Sequence, residues 1–137
     1  MRLVSACLLG LRCRYDGGSN ERSQVVALLD QEILIPVCPE QLGGLPTPRP
    51  ASEIVEGRVL TPSGEDQTEA FRRGAEETLA LARRLGVTEA ILKQRSPSCG
   101  SGKLYDGSFS GCVKNGDGMT TALLVRHGVH VISEEEL

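Results

Sequence analysis

ILIPVCPE, residues Ile33–Glu40, runs five residues without a polar side chain and then turns to a cysteine, a proline and a carboxylate. Consecutive apolar residues, rather than an alternation, belong to a strand covered on both faces, as in parallel sheets. Its internal Pro36 removes a ladder donor and favours an edge over a central position. Three other short apolar runs look like strands: Arg2–Ala6, Glu89–Leu92 and Val129–Ile132. Helical patterns separate them. Glu21–Leu29 is a short one, with Asn20 as its cap. Thr68–Leu85 is the strongest, because Phe71, Ala75, Leu79 and Ala82 recur at helical spacing and Gly86 stands where a left-handed terminal residue belongs. Met119–His127 is the third, closed by Gly128. This alternation predicts an α/β fold: one domain over residues 1–137, a Rossmann-like sandwich with a largely parallel sheet of about four strands. Between Pro39 and Asp66 the pattern breaks, and four prolines from Pro46 to Pro62 mark a loop with a small hairpin insertion, Ile54–Val55 against Val59–Leu60.

Composition narrows the function. The chain has 137 residues, 39% hydrophobic and 24% charged, which suits one globular core. With net charge −3 and no basic block, nucleic-acid binding by phosphate neutralisation is disfavoured. The apolar start, Leu3–Leu11, is too short to span a bilayer and reads as a buried strand, not a membrane segment, in a cytoplasmic protein. In that compartment five cysteines read as thiols or metal ligands, not disulfides. Two Phe, two Tyr and no Trp leave a flat ligand few rings to stack on.

The chemistry collects where strands end. Cys7 follows the first strand, Cys38 the second, and RSPSCG, Arg95–Gly100, the third. Loops at the carboxyl ends of parallel strands line the ligand crevice, so Cys7, Cys38 and Cys99 should converge. Without C-x-x-C pairs, three thiolates suit an iron–sulfur cluster with one iron open, or a catalytic metal with a vacant position. Cys13 reads as a buried neighbour, although a set of Cys7, Cys13 and Cys38 is the alternative. A Cys7–Cys13 redox pair without any metal is the weakest reading, for want of C-x-x-C. The glycines from Gly107 to Gly118 read as hairpin turns, although amides at the following helix start are suited to an anion or a carbonyl. Arg14, Tyr15 and Asp16 suit either substrate contact or loop anchoring. His127 and His130 read as helix-end and packing residues, and the SEEEL tail as a solvated charge run.

The segments SACLLGLRCRYDGG (Ser5–Gly18), VCPEQLGGLPTPR (Val37–Arg49), ILKQRSPSCG (Ile91–Gly100), YDGSFSG (Tyr105–Gly111) and NGDGMTTALLVRHGVHVISEEE (Asn115–Glu136) resemble the bacterial thiouracil desulfurase family over essentially the full chain. The resemblance implies a 4Fe–4S cluster held by Cys7, Cys38 and Cys99, with a free iron that takes the sulfur of a thiolated pyrimidine. It implies release of the base as uracil without net redox change. Glu40 of VCPE would be the catalytic carboxylate, and Ser96 of RSPSCG a polar partner for substrate or proton transfer. The rival from another class is a non-catalytic metal, iron–sulfur or sulfur carrier module, which binds a cluster but releases no sulfide.

Overall fold

The apolar runs become strands in a computed structural model that describes all 137 residues, Met1–Leu137. In chain order the strands are β1 (Arg2–Ser5), β2 (Leu34–Val37), β3 (Glu53–Val55), β4 (Arg58–Leu60), β5 (Glu89–Leu92), β6 (Lys103–Tyr105), β7 (Val113–Asn115) and β8 (His130–Ser133). The helices are α1 (Ser23–Ala27), α2 (Pro39–Leu42), α3 (Thr68–Leu85) and α4 (Met119–Arg126). Four strands form one sheet in the order β2-β1-β5-β8, every neighbouring pair parallel. Two antiparallel hairpins, β3–β4 and β6–β7, stand apart from it. Pro36 lies in an edge strand, exposed, where a missing ladder donor costs little.

The period of two explains the layers. Leu3, Ala90 and Leu92 point to one face and pack with Leu79 and Ala82 of α3 and Leu124 of α4. Val4 and Ile91 point to the other and pack with Leu8, Val25 of α1 and Leu34. Both faces are therefore covered, as the unbroken apolar runs require. Leu124 is fully buried, and truncating such a side chain to alanine costs about 2–5 kcal/mol.

The strongest expected helix has the expected bounds, and Gly86 ends it at φ +67° with its N–H bonded to the carbonyls of Ala82 and Arg83. The first helix is shorter than expected. It starts at Ser23 after Arg22, without a side-chain cap, and Asn20 instead accepts a 3.2 Å hydrogen bond from Arg14. The pairing of Ile54 with Val59 in the β3–β4 hairpin follows the sequence reading.

One backbone approach positions the site. A Cβ on Gly74 of α3 would collide with the carbonyl of Pro39, and one on Gly43 with the carbonyl of Ala70. With no side chains between them, α2 lies directly on α3, and Arg73 donates to the Gly43 carbonyl at 2.8 Å. The segment Cys38–Glu40 is thereby held against the longest helix. No helix is long and apolar enough to cross a membrane.

Candidate functional site

The order of the sheet reverses between β1 and β5, which makes this the switch point where α/β sheets open a crevice at their carboxyl ends. A cavity of about 490 Å³ lies there. Cys7, Cys38 and Cys99 all line it, together with Glu40, Ser96 and Cys13. The structure thus brings the three expected ligands, Glu40 and Ser96 to one place, whereas Asp16, suited in sequence to substrate contact, lies outside the lining. All five cysteines are free thiols, and the fifth, Cys112, is exposed and outside the cavity lining.

Local geometry explains each placement. Ser5 ends β1, and the 3-10 turn Ala6–Leu9 carries Cys7 directly into the cavity wall. Cys38 precedes α2, where Pro39 takes the first helical position with the fixed φ that suits it. Glu40 falls in the first turn and caps nothing. Its carboxylate accepts a 2.9 Å bond from Nε of Arg49 instead. Cys99 sits in a turn that is tied twice. Ser96 Oγ accepts from the backbone N–H groups of Ser98 (3.1 Å) and Cys99 (3.0 Å), while Thr121 donates its hydroxyl to the Cys99 carbonyl at 2.8 Å.

The amides at the start of α4, which suit an anion by sequence, are already engaged. Met119 donates to the Pro97 carbonyl at 2.9 Å and Thr120 to that of Ser98 at 2.8 Å. Gly118 allows this, since a Cβ there would come within 2.5 Å of the Ser98 carbonyl. The helix start therefore holds the Cys99 turn and has no amide left for a ligand at those positions.

The thiols are not equivalent. A hydrogen bond from the Cys13 thiol holds Cys7 below its ordinary pKa against the opposing effect of burial. The same donor brings Cys38 down to about 7, helped by a backbone bond from Gln41 and the charge of Arg49. Cys13 is itself raised, first by Cys38 and then by Cys7, because its one proton is shared with two neighbouring sulfurs that would repel its thiolate. When neutral, Cys38 donates to the Cys13 carbonyl at 3.8 Å. Burial pushes Cys99 up to about 12, with the Ser5 hydroxyl acting the other way.

Several site residues were missing from the sequence reading. Arg49 is buried and donates to Glu40, to the carbonyls of Pro46 and Cys13, and to the Thr47 hydroxyl. Its signal was a single cation between the prolines of TPRP. Lys93 and Gln94 also line the cavity, and the SEEEL tail reaches them. Glu134 is 2% exposed, accepts the Gln94 N–H at 2.7 Å and lies 3.4 Å from Lys93 Nζ. Arg95, bent into the left-handed region at φ +62°, pairs with Glu135 at 2.7 Å. The inner part of the tail, Ser133 and Glu134, is therefore a buried brace, while Glu135–Leu137 stay exposed as a charged end should. Tyr105 and Phe109 line the cavity as well, beside Arg14 and Tyr15, which the sequence did suggest, so a chain poor in aromatics places three of its four rings at this one site.

The donor set fits a soft metal group. Four thiols and no histidine line the cavity, and thiolate sulfur is what iron–sulfur clusters take. No group of three or more His, Cys, Asp or Glu side chains is arranged to hold a single metal ion. The thiols border a volume rather than a point.

A doubly covered parallel sheet with soft thiols and a clamped carboxylate at its switch point defines an α/β protein built around a thiol-lined cavity. More particularly, the chain belongs to the 2-thiouracil desulfurase family, whose model matches residues 3–136. It is 45% identical over 147 residues to the uncharacterized protein YbbK of Bacillus subtilis (strain 168), an alignment covering 100% of this chain and 97% of that protein. Among solved structures it resembles the 4Fe–4S-dependent thiouracil desulfidase TudS, with TM-score 0.94 and 49% identity over 99% of this chain and 91% of that one.

Proposed function

We propose that this chain is a desulfurase that replaces the thiocarbonyl sulfur of a 2-thiouracil-type base with oxygen, using a 4Fe–4S cluster held by Cys7, Cys38 and Cys99. The supporting observation is the meeting of these three thiols with Glu40 and Ser96 around one cavity at the switch point. The family and the likeness to TudS point the same way. When bound, the cluster supplies a soft Lewis acid that makes sulfur a better leaving group. The chain's own groups do the rest. Water adds its oxygen to the ring carbon, sulfur departs as hydrogen sulfide, and no electrons are exchanged. Glu40 takes the proton from the attacking water, which needs a carboxylate fixed in place. The 2.9 Å bond from Arg49 fixes it. Ser96 accepts two backbone N–H bonds at Oγ, which leaves its own proton free to be donated to the base. Cys99 is the third ligand in this reading because it is the cysteine of the family-like SPSCG motif, in a turn tied on both sides, whereas Cys13 stands beside Cys38, whose thiol reaches its carbonyl.

Protein purified without oxygen should be brown, carry about four irons per chain, and release sulfide from 2-thiouracil. Cys38→Ala and Cys99→Ala should lose the colour and Cys13→Ala should keep it. Retention of the cluster in Cys99→Ala with its loss in Cys13→Ala would move the third ligand to Cys13. Glu40→Gln should keep iron and colour while turnover drops about 10²–10⁴-fold. Full turnover in that variant removes the carboxylate from the mechanism.

A further inference from the structure

The distribution of aromatic side chains is uneven. Phe71 is 1% exposed and belongs to the core, whereas Tyr15, Tyr105 and Phe109 are 40%, 37% and 38% exposed. All three line the thiol cavity, although they come from separate parts of the chain. Tyr15 lies in the loop after β1, Tyr105 ends β6, and Phe109 sits in the turn joining β6 to β7. Leaving large rings in water forfeits the burial that a core would give them.

Phe109 is also held under strain. Its φ of +56° lies in the left-handed region, uncommon for a bulky side chain. Glu53 of β3 holds the turn there by accepting the N–H groups of Gly107 at 3.0 Å and Phe109 at 3.1 Å. Gly107 permits the contact, because a Cβ would come within 2.8 Å of the Ile54 carbonyl. Tyr15 is fixed in its turn. The Arg14 guanidinium lies over its ring, 5.3 Å from the centroid, and its carbonyl accepts the Arg49 N–H at 2.8 Å. Phe109 and Tyr15 are placed at the cavity by bonds that serve no part of the core, and Tyr105 by its pairing with Val113 in the β6–β7 hairpin.

We infer that Tyr15, Tyr105 and Phe109 form an aromatic collar that selects planar, unsaturated thiocarbonyl heterocycles over saturated or open-chain thioamides. The inference rests on the proposed desulfurase activity and adds its substrate class. Stacking distinguishes flat rings from puckered ones of the same polar outline, because only a flat ring offers a continuous π-face. The carboxylate and thiols, by contrast, address the thiocarbonyl itself, which both kinds of substrate carry.

The test compares 2-thiouracil with 5,6-dihydro-2-thiouracil on the cluster-loaded protein. The parent should prefer the planar ring in kcat/KM. Phe109→Leu, which keeps apolar bulk and removes the ring, should raise KM for 2-thiouracil about ten-fold with iron content unchanged and little change in kcat. Its preference for the planar substrate should shrink by the same factor, and Phe109→Tyr should restore it. Equal preference in parent and Phe109→Leu overturns the collar. Binding is read separately through tyrosine emission, which has no tryptophan background and arises only from Tyr15 and Tyr105. Saturable quenching by 2-thiouracil, tighter than by its dihydro form, supports the collar even if no sulfide is released, a result that would sink the desulfurase reading alone. Absence of saturable quenching, or equal affinity for the two rings, overturns the collar.

Discussion

The two ends of the same sheet are built differently. At the amino end, β1 and β2 are bordered by the ion pair of Arg2 with Glu32, at 2.8 and 2.6 Å, and by Ile33, which is 68% exposed. At the carboxyl end the strands lead into four thiols, a buried arginine on Glu40, and a buried Glu134 beneath the Gln94 segment. Each end has an arginine–glutamate pair, but their surroundings differ. The Arg49 and Glu40 side chains are 4% and 18% exposed, those of Arg2 and Glu32 18% and 24%. Parallel topology creates this asymmetry, because all four strands leave the sheet on one side and their loops must share that space. One end finishes the fold; the other gathers reactive groups.

Removing the two arginines is the most direct way to break this contrast. Arg49→Met leaves Glu40 and the carbonyls of Pro46 and Cys13 without their donor, and should cost about 2–4 kcal/mol in chemical denaturation. Turnover of the loaded protein should fall at least about ten-fold, since the carboxylate loses its fixed position. A variant with parental stability and activity would make the two ends equivalent. Gly74→Ala should cost about 1–3 kcal/mol, even though alanine is the better helix former. The new Cβ meets the Pro39 carbonyl, so α2 must move and carry Cys38 and Glu40 with it. A neutral or stabilising result would show that α2 yields without cost. Glu134→Ala should cost about 1–3 kcal/mol by leaving the Gln94 N–H without its acceptor. It should also speed hydrogen exchange at that amide.

The smallest effect belongs to the amino end. Arg2→Met should cost under about 1 kcal/mol. The Arg2 hydrogen bond holds Glu32 below the ordinary carboxylate pKa of 4.5. Because the folded pKa is the depressed one, this pair stabilises the protein fully above pH 4.5, and its contribution fades as pH falls through the folded value. The stability difference between parent and Arg2→Met should therefore shrink in acid. A difference that grows below pH 4.5 contradicts this sign.

A sharper contrast lies within the cavity. In cluster-free protein at neutral pH, Cys38, with a pKa near 7, should react with iodoacetamide faster than buried Cys99, pushed up to about 12. Peptide mapping over time reads the order directly.

Much of the fold was legible because its causes are local. Apolar runs without alternation marked the doubly covered strands, helical spacing and Gly86 bounded α3, and Pro36 indicated an edge. Cys7, Cys38 and Cys99 converge because each lies in the segment that follows the carboxyl end of a parallel strand, Cys99 at the far end of its loop. The first helix start was misjudged because a cap residue has alternatives, and Asn20 found Arg14. The tail is solvated only at Glu135–Leu137, and nothing local in SEEEL marks Glu134 as buried, because its partner lies forty residues away.

Sequence alone determined the periods, the turns and the order in which thiols follow strands, and its long motifs carried the family. Only the tertiary structure decided that Arg49 clamps Glu40, that Glu134 is buried and that three rings meet at the thiols. Periodicity tells a residue which face it occupies. It carries no information about which distant side chain will stand opposite, and that choice is made when the loops at the carboxyl end are forced into one volume.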